Sequence, residues 1–67
     1  MFDREMKFLR TEIAVKICEA DPLLYSKVKM NRYDLCENEE EKTRYRVLQK
    51  LIRIEPSIKA VLEFYTN

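Results

Sequence analysis

Asn38-Glu39-Glu40-Glu41-Lys42-Thr43-Arg44-Tyr45-Arg46-Val47-Leu48-Gln49-Lys50-Leu51-Ile52-Arg53-Ile54-Glu55-Pro56-Ser57 decides the fold. An asparagine side chain can accept an unpaired N–H at the open end of a helix, and Glu41, three residues on, completes a capping box. The acidic first turn suits the positive end of the helix dipole. Behind it, Tyr45, Val47, Leu48, Leu51, Ile52 and Ile54 form a wide apolar face at helical spacing. Proline at 56 disfavours helical backbone at Glu55 and suits the start of a new helix. The pattern predicts one helix over Glu39–Ile54 and a short closing helix with Ile58, Val61, Leu62 and Tyr65 as its apolar positions.

Toward the N-terminus, Phe2, Met6, Leu9, Ile13, Ile17 and Ala20 recur at spacings of four and three, which predicts an amphipathic helix over Asp3–Ala20. A second stripe, Phe8, Thr11, Val15 and Cys18, lies nearly opposite the first. Asp21-Pro22 reads as an N-cap and first helical residue, opening a segment from Pro22 to about Leu35 with Leu24, Val28 and Leu35 on one face. Glycine is absent, so the Asn-Gly and Asp-Gly hairpin turns that β-structure favours are missing. The expected fold is all-α, a compact bundle of three to four short helices in a single domain over residues 1–67.

The same absences narrow function. The chain has no histidine, the one side chain that titrates unassisted near neutrality and the commonest metal ligand. Without glycine there is no phosphate-cradling loop. Ser26 and Ser57 neighbour lysine and proline, and no base is in reach by sequence. The acidic run around Glu37–Glu41 lacks the alternating ligands and glycine of a calcium loop, and cap chemistry explains it. Cys18 and Cys36 are read as reduced, partly buried thiols; two sulfurs leave a zinc tetrahedron half empty. No enzyme activity, cofactor, metal or small-molecule substrate is expected. The longest apolar runs are far short of the roughly 18 residues of a membrane span, and no signal-peptide core is seen, so a cytoplasmic protein is expected.

Function is therefore sought on surfaces. A chain of 67 residues builds a marginal core, so the Phe8–Thr11–Val15–Cys18 seam is a candidate protein interface, to a partner or a second copy. A basic stripe on the third helix, Lys42, Arg46, Lys50 and Arg53, is a candidate electrostatic docking face, expected opposite the apolar side. Net charge is only +1, from 13 basic and 12 acidic residues, so no global pull toward nucleic acid exists. The leading expectation is a protein–protein interaction module. Its alternatives are a phage- or plasmid-type inhibitor or accessory protein covering a larger machine, and direct nucleic-acid binding by the third-helix stripe.

Asn31-Arg32-Tyr33-Asp34-Leu35-Cys36-Glu37-Asn38-Glu39 resembles a stretch of the Hha/YmoA family, which reads there Asn-Lys-Tyr-Glu-Leu-Ser-Asp-Asn-Glu. The ungapped register also places Cys18 and Leu24 on matching family residues, and Glu55-Pro56-Ser57 is similar to the start of the family's closing helix. The resemblance implies a small four-helix cytoplasmic protein without enzymatic activity. It would modulate transcription by binding a nucleoid silencer through complementary charge. The chain departs from the family in its shorter third segment and in lacking the histidine of that helix's Asp-His-Arg motif.

Overall fold

The computed structural model describes residues 2–66, and the side chains of residues 4–65. Four helices follow in order, α1 (Phe2–Ala20), α2 (Leu24–Lys29), α3 (Glu39–Ile54) and α4 (Ser57–Thr66), with a 3₁₀ turn at Tyr33–Leu35. No strand is present among the described residues, and the all-α expectation holds.

α3 begins and ends where the cap logic places it. The Asn38 side chain accepts the Glu41 N–H at 2.8 Å. At the other end the Glu55 N–H still reaches the Leu51 carbonyl at 2.8 Å, while Glu55 itself leaves helical backbone ahead of Pro56. Ile58 and Leu62 of α4 are fully buried, as are Leu48 and Tyr45 of α3. Val47 and Ile54, expected on the same apolar face, are exposed.

The second segment differs from expectation. Asp21 caps nothing with its side chain; its carbonyl accepts the Leu24 N–H at 3.0 Å, so Asp21-Pro22-Leu23-Leu24 is a turn and α2 starts two residues later than predicted. α2 then stops at Lys29 instead of running to Leu35. Asn31 takes φ +58°, the left-handed region. The Arg32 N–H returns to the Lys27 carbonyl at 2.9 Å and the Asn31 N–H to that of Val28 at 3.0 Å. That pair of bonds is a Schellman C-cap with asparagine in the position glycine usually fills.

α1 is turned differently from both sequence readings. Its core-facing line is Ala14, which belongs to neither stripe, and Cys18, the last residue of the second. Met6, Leu9 and Ile13 of the first stripe are about half exposed, Ala20 is exposed, and only Ile17 packs on the core. The side chain of Phe2 lies outside the described residues. Arg10 reaches Glu55 at 3.0 Å and pins α1 to the corner between α3 and α4. Residues 4–9, ahead of that pin, are all exposed, so the first turns of α1 project from the bundle. The longest dimension is accordingly 39 Å, against 24 and 19 Å for the others.

α2 is locked to α3 by charge. Glu41 is only 6% exposed. It pairs with Lys27 and also accepts the Glu37 N–H at 3.1 Å. The reciprocal half of the capping box thus goes to Glu37 rather than to Asn38. Lys27 and the Glu37 amide hold the Glu41 carboxyl below its usual range.

Tyr45 packs edge-to-face on Tyr33, with ring centroids 5.3 Å apart, yet its buried hydroxyl has no hydrogen-bond partner among the described residues. An unsatisfied buried hydroxyl is destabilising. Tyr45→Phe keeps the ring contact and is expected to raise stability by about 1 kcal/mol in urea denaturation. A loss of stability in that variant would show that the hydroxyl is bonded in solution.

Candidate protein-interaction surfaces

The predicted apolar seam lies along the junction of α1 with α4. Phe8 is 68% exposed. Val15 is half-buried and packs against the core. Thr11 is also half-buried, and its hydroxyl donates to the Lys7 carbonyl at 2.9 Å within its own helix. Cys18 departs from the expectation of a contact residue. It is 5% exposed and belongs to the core, because α1 is rotated to put it there. Burial pushes its thiol pKa up, with Asp21 adding to the effect, and burial does the same to Cys36. Both cysteines are free and stay thiols rather than reactive thiolates.

The sequence reading missed what α4 contributes. Val61 and Tyr65 face the seam and turn it into a groove. Phe8, Thr11, Glu12, Val15, Val61 and Tyr65 enclose a cavity of about 240 Å³. A second cavity, of about 260 Å³, continues it past Val15 and Tyr65 to Cys18, Glu19 and Pro22. Neither cavity alone reaches the roughly 300–1,000 Å³ of a typical small-molecule site. Both are lined by Val15 and Tyr65, so they adjoin as one open trough. Tyr65 is 61% exposed, and Phe64 beside it is 81% exposed, with the two rings edge-to-face. The spacing of Val61 and Tyr65, one helical turn apart, was a signal; what it lacked was the direction in which α4 would present them.

The basic stripe is only partly where it was expected. Lys42 is half-buried and reaches Glu39 at 3.5 Å. Arg46 donates to the Tyr33 hydroxyl at 2.7 Å with its guanidinium 5.4 Å from the ring centroid, so it braces the 3₁₀ turn. Lys50 and Arg53 are exposed and make no ion pair among the described residues. Arg53 does not stand opposite the core. It lines a cleft of about 240 Å³ with Tyr25, Val28, Lys29, Gln49, Ile52 and Lys59. Cations from three helices therefore gather at one cleft, a grouping that linear spacing cannot reveal. Glu63 is interleaved there, 3.3 Å from Lys29 and 2.9 Å from the Tyr25 hydroxyl. Burial and that carboxylate push the Tyr25 pKa up to about 12.

The nonapeptide Asn31–Glu39 has no exposed apolar patch of that kind. It forms the C-cap of α2, the 3₁₀ turn, the buried Cys36 and the N-cap of α3. Fold and surfaces together define a small helical bundle with one open apolar groove and one basic cleft. No family model, no characterised protein and no solved structure matches this chain.

Proposed function

We propose that this chain is a non-enzymatic protein-interaction module that engages a partner through the α1–α4 groove. The observation that carries the reading is the exposure of Phe8, Phe64 and Tyr65 around that groove in a chain whose core is already small. Contiguous exposed apolar surface of this kind marks interaction sites in soluble proteins. The basic cleft of Lys29, Arg53 and Lys59 is a second contact surface, suited to acidic side chains of the partner. Glu63 interrupts the positive charge of the cleft, which favours protein over a phosphate backbone as its ligand. The finer reading, a cytoplasmic transcription modulator, rests on the Asn31–Glu39 resemblance to the Hha/YmoA family.

Val15 packs on the core as well as lining the groove, so Val15→Asp would disturb folding together with binding. Thr11 lines the groove without being one of its apolar anchors and is the cleaner probe. Thr11→Cys, close to isosteric, is expected in the full chain to react with a maleimide when purified and to be shielded inside its host cell. Equal reactivity in both settings would remove the support for this reading.

A further inference from the structure

The groove has one apolar floor but a charged rim on a single side. Glu12 and Glu19 of α1 line its two cavities. Glu5, one heptad before Glu12, continues the same edge. Neither Glu12 nor Glu19 makes an ion pair or side-chain hydrogen bond among the described residues, whereas Glu39, Glu40, Glu41, Glu55 and Glu63 are all engaged. Among the described residues the α4 side of the trough offers Val61 and Tyr65 and no charge. Lys16 is exposed on the outer side of α1, beyond the acidic edge, and Arg4 stands one turn before Phe8 at the groove's end.

Resting on the interaction reading above, we propose that the occupant of the groove is an amphipathic basic helix of a partner protein. Its apolar ridge would lie between Phe8 and Tyr65, with lysine or arginine facing Glu12 and Glu19. Helix-in-groove recognition of this kind uses apolar anchors one and two turns apart. The trough offers matching apolar residues along its two adjoining cavities, Phe8, Val15, Val61 and Tyr65. A second copy of this chain is the poorer occupant. Laying one α1 antiparallel on another across Phe8 and Val15 brings the Glu12 edges of both copies together, and like charges facing across a helix pair are destabilising.

The test uses the full chain and two synthetic helical peptides of about 18 residues, long enough to hold a helix, one built of leucine and lysine and one of leucine and glutamate at the same positions. Binding is followed by fluorescence anisotropy of the labelled peptide, with ¹H–¹⁵N shifts to locate it. The leucine–lysine peptide is expected to bind with shifts centred on Thr11, Val15 and Val61, about tenfold or more tighter than the leucine–glutamate peptide. Glu12→Lys with Glu19→Lys is expected to invert that preference. Both sites are exposed, and the Gln pair serves as a variant that removes charge without reversing it. Equal binding of the two peptides, absence of binding by either, shifts centred elsewhere, or a dimer in light scattering that the lysine peptide does not dissociate would each overturn the proposal. Shielding of Thr11→Cys in cells together with any of these results would leave the interaction reading standing and remove only the basic-helix occupant.

Discussion

Leu48→Ala is expected to cost about 2–5 kcal/mol, the usual range for emptying a fully buried leucine site. Leu48 has no exposed surface and shares the core with Tyr45, Ile58 and Leu62. A core in a chain this short rarely supplies more than about 3–5 kcal/mol in total. The variant should therefore lose most of its helical circular dichroism near physiological temperature, with a drop in melting temperature on the order of 10 °C or more. Val47→Ala, on the adjacent and more exposed position, should change little. Equal effects at 47 and 48 would mean that α3 is rotated from the orientation described above.

Lys27→Met is the second large effect. The Lys27 and Glu41 side chains are only 14% and 8% exposed, and removing the lysine leaves a buried carboxylate without its counter-charge. Breaking such a pair is far more damaging than replacing both members, because a lone charge away from water has lost its compensation. Lys27→Met should lower the melting temperature well beyond Arg44→Met, which only breaks a pair whose glutamate, Glu40, is 82% exposed. The double variant Lys27→Met with Glu41→Leu should recover most of the loss. The pH dependence follows from the direction of the shift. The folded-state pKa of Glu41 is lowered from 4.5, so its contribution is present above that value and is lost as pH falls through the lower, folded one. Lys27 is raised from 10.5, so its contribution persists to strongly alkaline pH. Glu41→Gln should flatten the acid limb of a stability–pH curve, and an unchanged acid limb would remove Glu41 from this role.

The parts of the fold that could be read from the sequence were those fixed by local chemistry. Asn38 announces α3 because its side chain can accept the Glu41 amide, and Pro56 announces its end because its ring disfavours helical backbone at Glu55. What escaped was set by partners distant in the chain. α2 stops at Lys29 because Asn31 enters left-handed backbone, and asparagine signals that conformation far more weakly than glycine would. Two apolar stripes on α1 suggested that one must face inward, but the small side chains of Ala14, outside both stripes, and Cys18, at the end of the second, make the closest approach to the bundle. Each stripe is left divided, with Ile17 of the first and Val15 of the second packed on the core and the earlier described residues outside it. The groove was half legible: Phe8, Thr11 and Val15 were in view, while Val61 and Tyr65 came from a helix placed by the burial of Ile58 and Leu62 against residues distant in the chain. Glu41 was legible as a cap and illegible as an ion-pair partner, since nothing in the spacing of residues 27 and 41 brings them together.

The groove as a partner-binding surface is the central claim, and cysteine accessibility tests it most directly. Thr11→Cys and, as a reference on another face, Glu40→Cys are labelled with a membrane-permeable maleimide in the purified chain and in intact host cells. Cys18 and Cys36 are buried and contribute a slow background in both. Occupancy of the groove predicts that position 11 reacts about tenfold slower in cells than in isolation, as expected if roughly nine in ten molecules are bound, while position 40 reacts equally in both. Position 11 reacting in cells as fast as in the purified chain would contradict the claim.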